Sequence, residues 1–399
     1  MSTAALTRPL ELDSLAERAL KAATRFWFAV LLIGQLIFAF TVASFYGLTA
    51  MRGDVAAWNK ILAHGYIASD RMGNAALITH LASAVFIVLA GTIQLVPQIR
   101  NRFPMFHRWL GRFYILSAFS VSGAGLYLLW VRGTVGDLPQ HLGSGLMAIL
   151  IMFFATMALR TAMARDFKTH RRWALRLYLT VSASLFIRAS IFLALGLNKG
   201  AFGFDPSTFT GPFLTFISFA QYLVPLAILE IYLRVTDRPG AMRRLAMAAA
   251  LFAITLALGG GIFGATVGAF VPNLKRAFDS RISIAETLSA TIATSGIDPA
   301  VAQYHTLKSA AASRYNFDED ELNTLGYQLL RANKYKQAIR IFQLNIEAYP
   351  KSANTYDSLG EAYMDAGDTP QAIAFYEKSM QLNPKNANGT RMLEKLKAP

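Results

Sequence analysis

The chain is predicted to be all-α: a polytopic bundle of about seven membrane-spanning helices followed by a polar helical tail. Three observations carry that prediction. Of 399 residues, 54% are hydrophobic and 16% charged, with a mean hydropathy of +0.35, whereas soluble domains carry about 25% charged residues. Apolar runs of the roughly 20 residues that a bilayer core requires recur at 26–48, 75–97, 107–131, 141–163, 172–195, 212–233 and 245–271. From Pro272 onward the composition turns polar, with 15 Lys/Arg against 14 Asp/Glu, and a 34-residue period sets in.

The first 25 residues contain acids and no apolar core before Phe26. They do not read as a cleavable signal, and residues 9–25 suggest a short amphipathic helix on the inner membrane surface. The first span offers Gln35 as its one amide. The loop 49–74 contains His64, which reads as solvated. The second span stops at Pro97, which cannot continue it, and the basic turn QIRNRFPMF leads into HRWLGRFY at 107–114. Gly123 and Gly125 lie in the third span, and Gly143 and Gly145 open the fourth after Pro139. The inner turn ARDFKTHR leads into HRRWALRLY at 170–178, and Asp205-Pro206 marks a turn before the sixth span. In the seventh, GGGIFG at 259–264 has the glycine spacing of a dinucleotide loop but lacks the strand–turn–helix setting. Gly260, Gly264 and Gly268 read instead as a helix-packing stripe.

Charge placement argues topology rather than nucleic acid. Residues 1–271 hold 24 basic and 10 acidic residues, and alternate connections hold 18 Lys/Arg against 8 in the others. Cytoplasmic loops carry the Lys/Arg excess. The expectation is a bacterial inner (plasma) membrane protein with its N-terminus cytoplasmic and its tail extracytoplasmic, in contact with the lipid bilayer and not with nucleic acid. The absence of cysteine excludes disulfides, thiolate metal sites and Cys nucleophiles.

Four of the six histidines, His80, His107, His141 and His170, fall at or near the starts of four consecutive spans. Consecutive spans run in opposite directions. His80 and His141 are therefore expected near the outer face, and His107 and His170 near the inner one. Facing helices of a bundle commonly hold a cofactor between them, and this layout suits two haem b groups, each with two imidazole ligands. Room would come from Gly91, Gly123, Gly125, Gly143 and Gly145. Arg108, Arg112, Arg171 and Arg176 would meet the inner propionates, and Arg188, about 27 Å along its helix from His170, the outer ones. The bland alternative is that HRW and HRRW are positive-inside anchors with an interfacial Trp. A different metal or a quinone site on the same residues is a further alternative.

The stretch H-x(10)-G-x-x-Q, followed by HRWLGRFY and HRRWALRLY, resembles the bacterial membrane family catalogued as domain-of-unknown-function family 2306, over roughly residues 25–235. That resemblance implies a fold and no activity. The histidine layout resembles the two-haem transmembrane cytochromes b that oxidise ascorbate and reduce ferric iron. That resemblance implies His80 with His141 and His107 with His170 as axial pairs. Three of the four sit at helix mouths, where those cytochromes carry their ligands deeper. In the tail, LGYQLLRANKYKQAIRIFQLNIEAYP (325–350) aligns with LGEAYMDAGDTPQAIAFYEKSMQLNP (359–384), which resembles tetratricopeptide repeats. YDSLGEAY at 356–363 is similar to repeats appended to penicillin-binding-type serine hydrolases, but no S-x-x-K or G-x-S-x-G motif accompanies it.

The expected organisation is an N-terminal segment 1–25, a membrane domain 26–271 with its histidine bundle at 75–195, a linker with capping helices 272–320, and a repeat domain 321–399. The leading expectation for function is transmembrane electron transfer between a small-molecule donor and an acceptor, which would make the chain a transmembrane oxidoreductase. The alternative is a non-catalytic membrane anchor whose repeat domain recruits a protein or peptide partner.

Overall fold

The computed structural model describes residues 4–62, 65–198, 200–205 and 208–397; His64 and Pro206 lie outside the described residues. The chain forms two compact units, residues 1–278 and 279–399.

In the first unit, α1 (Ala4–Met51) is one helix of 48 residues, about 70 Å long at 1.5 Å per residue. It outruns a bilayer core of about 30 Å. Residues 9–25 are therefore continuous with the first span rather than a separate element. Next come α2 (Arg71–Gln94), the short α3 (Pro97–Arg102) and α4 (Pro104–Tyr127), which ends in a π turn at Leu128–Arg132. They are followed by α5 (Leu138–Met163), α6 (Phe167–Val181), α7 (Ala183–Asn198), α8 (Pro212–Asp237), α9 (Ala241–Ala265) and α10 (Val271–Phe278).

Local chemistry sets these starts. Asp70, Asp137 and Asp166 accept the N–H of Gly73, Gln140 and Thr169, which caps α2, α5 and α6. Prolines begin α3, α4 and α8, where a missing N–H costs nothing.

Among the described residues, six helices are long and apolar enough to cross a membrane, and the count rises to seven if the bent pair α6 and α7 is one span. The fifth span expected from sequence is thus broken, with a 47° bend. Two hydroxyls back-bond at the junction. Thr180 and Ser182 donate to the carbonyls of Arg176 and Tyr178 at 2.9 and 2.8 Å, a back-bonding pattern that bends helices.

The two largest of the unit's apolar clusters span most of its helices. One joins α1, α2, α4, α5 and α6 through Ala39, Ile87, Tyr114, Phe154 and Leu177. The other joins α1, α6, α7, α8 and α9 through Leu31, Tyr178, Leu185, Leu229 and Ile262. The glycines of α9 and of the π turn Thr266–Phe270 that follows it do form a packing stripe, against α7. A Cβ on Gly261 would lie 2.3 Å from the Ala189 carbonyl oxygen, and one on Gly268 2.4 Å from the Phe192 ring. Gly260 is looser, at 3.8 Å from Leu193, so Gly261 takes the place expected for Gly260. The unit extends to α10, where the buried Ala277 accepts from Arg52 at 2.8 Å, seven residues beyond the boundary expected at 271.

The second unit begins with a two-residue parallel pairing of β1 (Ile282–Ser283) with β2 (Tyr315–Asn316), around α11 (Ile284–Ser295) and α12 (Ile297–Ala310). Ser283 donates to the buried Glu321 carboxylate. Two helical hairpins follow: α13 (Glu319–Arg331) with α14 (Tyr335–Ala348), and α15 (Ala353–Asp365) with α16 (Thr369–Leu382). The last helix is α17 (Ala387–Lys397). The hairpin turns repeat at the residue level. Asn333 and Gly367, 34 apart, both take positive φ (57° and 83°), a conformation that Asn and Gly tolerate.

Candidate functional site

The four histidines reach their places by two routes. His107, His141 and His170 each sit in the first turn of a helix, their N–H groups closing onto Phe103, Asp137 and Asp166. His80 lies deeper, in the third turn of α2.

His107 and His170, the pair expected near the inner face, lie within electrostatic reach of each other, with Arg100 also within reach of His107; no hydrogen bond or ring contact joins the two rings among the described residues. The His170 ring meets the Ala158 carbonyl through Nδ1 at 2.8 Å. A carbonyl only accepts, so Nδ1 carries a proton, and in the neutral ring this leaves the Nε2 lone pair available, the orientation typical of a ligating histidine. His107 Nδ1 is buried with no hydrogen-bond partner.

His80 and His141, the pair expected near the outer face, show no such electrostatic coupling. His80 donates through Nδ1 to the Val121 carbonyl at 2.9 Å and lies near Arg188. His141 meets the Val135 carbonyl at 3.4 Å and the Trp130 ring edge-on at 6.1 Å. No hydrogen bond, ion pair or ring contact joins His80 to His141 among the described residues.

A haem would need the slots expected at five glycines, and four of them seat the bundle's own side chains. A Cβ on Gly91 would lie 2.8 Å from the Tyr114 ring, on Gly125 3.2 Å from the His80 ring, on Gly143 2.6 Å from Ser218 Oγ, and on Gly145 3.4 Å from the Trp130 indole. Gly123 alone of the five faces open space. Around the outer pair the residues do not fit a haem. His107 and His170 fit in their donor chemistry, with an orphaned Nδ1 on one ring and, in the neutral form, an Nε2 lone pair on the other.

The arginines divide in the same way. Arg108 is exposed, and Arg112 is exposed with its guanidinium 4.5 Å over the Trp109 ring. Arg176 pairs with Glu230 at 2.6 Å and stacks on Trp173. Arg188 donates to the Ser184 carbonyl at 2.6 Å and lies 4.8 Å over Phe38. No group of three or more His, Asp or Glu side chains among the described residues has metal-site geometry.

Sequence reasoning missed Arg132. Its side chain is 3% exposed and ties the loop before α2 to the end of α4. The signal was available: an Arg ending an apolar run, with Asp70 and Asn74 one span earlier.

In the tail, the repeat brings equivalent positions face to face. Tyr327 on α13 donates to Glu361 on α15 at 2.8 Å and to Ser358 at 3.2 Å; positions 327 and 361 are 34 apart. Burial and the neighbouring Glu361 carboxylate push the Tyr327 hydroxyl well above the usual phenol range. Asp357 accepts from Asn386 and Asn388 at 2.7 and 2.8 Å. One turn apart on α15, Asp357, Glu361 and Asp365 make this face acidic. Desolvation raises the Asp365 carboxyl above its ordinary value.

Residues 77–224 match the family described as Predicted membrane protein (DUF2306), and residues 353–386 match the tetratricopeptide repeat. The resemblances to these two families are borne out, each over a shorter stretch than expected. No curated protein and no solved structure matches the chain.

Proposed function

We propose that the protein is a membrane anchor that presents a tetratricopeptide-repeat face to a protein partner. The observation that carries this reading is the two-hairpin tail with its own core and the acidic row Asp357, Glu361 and Asp365 on one helix. Stacked repeats use such extended faces for binding, and an acidic row suits a partner segment bearing Lys or Arg. The Lys/Arg asymmetry of the connections favours a cytoplasmic N-terminus. With the broken α6–α7 pair counted as one span, the tail is then outside, in a bacterial inner membrane.

The chain has no cysteine, which makes the topology directly testable. Lys351→Cys, exposed between α14 and α15, is expected to react with an impermeant maleimide in spheroplasts without lysis. Reaction only after lysis places the tail inside and overturns the topology. For the partner, crosslinking in native membranes is expected to give a defined adduct with the parent chain, lost in Asp357→Lys/Asp365→Lys. Retention of that adduct by the charge-reversed pair would reject this face as the recruiting surface.

A second reading, electron transfer through a b-type haem, is favoured by one observation: the proximity of His107 to His170 with an unpartnered Nδ1. Bound there, a haem would supply one-electron redox chemistry. His107 and His170 would be its ligands, with Arg100 within electrostatic reach of His107. Purified protein expressed with ample haem is then expected to show a Soret band with sharp reduced α and β bands, lost in His107→Ala and His170→Ala and retained in His141→Ala. Colourless wild-type protein removes this reading and leaves the anchor.

A further inference from the structure

We propose that the cavity lined by α1, α6, α7, α8 and α9 binds an amphiphile with one apolar chain and an anionic headgroup, the headgroup held by Arg171. The cavity is a half-open cleft of about 450 Å³, inside the range of about 300–1,000 Å³ typical of small-molecule sites. Trp27, Phe186, Leu193 and Ile217 make its wall apolar, and no histidine lines it. It is therefore separate from both histidine pairs.

Three features distinguish it from a chance gap between helices. The α6–α7 break opens on it: Tyr178 and Phe186, on either side of Ser182, both form its wall. Helices interrupted at membrane depth are tolerated where they line a cavity or a binding site. On the opposite side, α8 carries Pro225 in its interior, and Pro225 and Gln221 also line the cavity. A proline removes the hydrogen bond to the carbonyl four residues earlier, here that of Gln221. Two interrupted helices thus flank one space.

Charge is the third feature. The acids nearby are already paired, Glu230 with Arg176 and Asp237 with Arg172, each at 2.6 Å. Arg171 lies in the wall, is exposed, and has no carboxylate partner among the described residues. An apolar chamber with one unmatched guanidinium complements a hydrocarbon tail with a carboxylate or phosphate head, since charge-assisted contacts to such anions are the strong ones. A neutral amphiphile would leave the cation unanswered.

The test is photolabelling of the full-length protein in detergent with three diazirine probes: a palmitate, a single-chain phosphatidate and a hexadecanol. The two acidic probes are expected to label peptides from α6, α7 and α8 saturably, at least about tenfold above the alcohol, the effect of one charge-assisted contact. Whichever acid labels more strongly identifies the head as carboxylate or phosphate. Ala189→Trp and the milder Ser190→Phe fill the space and are expected to abolish labelling. Arg171→Gln is expected to remove the preference for acids while alcohol labelling persists. Thermal melting checks that the variants remain folded. Labelling that survives in both filled variants, spreads evenly over the lipid-facing helices, or is equal for acids and alcohol overturns the proposal.

Discussion

Phe342→Ala is expected to cost the tail about 3–5 kcal/mol, the usual penalty for deleting a fully buried ring. Phe342 is 0% exposed, and its ring sits on Gly326, where a Cβ would lie 2.5 Å away. Tyr327 packs against it edge-on at 5.2 Å. The same arrangement recurs one repeat later, where the fully buried Tyr376 faces Gly360 at 3.1 Å. Each hairpin is thus closed by an aromatic ring on its second helix and a glycine on its first. Domains of this size have a total stability of about 5–15 kcal/mol, so the loss consumes a large share of it. Hydrogen exchange on the full chain should show protection falling across 319–382 while α2, α4 and α5 are unchanged. Gly326→Ala alone should cost about 1–3 kcal/mol by overpacking. The pair Gly326→Ala/Phe342→Ala should cost less than the sum, because the new methyl occupies part of the space that the ring vacates. Additive costs would show that ring and glycine do not form the contact described.

That pairing explains why the tail was legible in the sequence. A stacked repeat needs the same large and small residues at the same offset, so Leu325/Leu359, Gly326/Gly360 and Ala338/Ala372 recur every 34 residues. The spans were legible for an equally direct reason: a bilayer demands a length of apolar residues, which counting finds. The break at Ser182 was not, because hydropathy averages over a helix and its break alike. The break is a local geometric choice, and the back-bonds of Thr180 and Ser182 that accompany it recur at Thr41 and Thr255 in unbroken helices. The glycines were the hardest to read. From sequence, Gly91, Gly125, Gly143 and Gly145 look like room for a ligand. In the fold, Tyr114, His80, Ser218 and Trp130 approach them. Sequence shows that a Cβ is missing and not which neighbour takes its place. The histidines divide by the same logic: each could be placed on its helix, but which pair meets depends on how the helices are rotated.

Arg132→Met is expected to destabilise the membrane unit by about 3–5 kcal/mol, the cost of breaking a buried ionic cluster from one side. The Arg132 guanidinium lies 3.4 Å from the Asp70 carboxylate and donates to the Gly65 carbonyl at 2.9 Å and to Asn74 Oδ1 at 3.0 Å. Asn74 in turn holds Ile67 through both its backbone groups, at 2.7 and 3.1 Å. Methionine fills a similar volume but leaves a buried carbonyl and an amide oxygen short of a donor. Asp70→Asn should cost far less: the carboxylate is 32% exposed, and an Asn still caps α2. Arg132→Lys should not restore stability, since a single ammonium cannot reach three acceptors held apart in the way that a planar fork can. Thermal melting in detergent should therefore rank the variants with Arg132→Met lowest, Arg132→Lys next and Asp70→Asn closest to the parent. A parental midpoint for Arg132→Met would mean that the cluster is dispensable. The consequence reaches the histidines. Arg132 ends the π turn that carries Trp130, and Trp130 sits on Gly145 and against His141. Loosening that turn frees the His141 ring and leaves the inner pair, His107 and His170, untouched. Faster exchange at 65–74 and 128–141, with none at 104–112 or 167–176, would show the two ends of the bundle to be held by separate interactions.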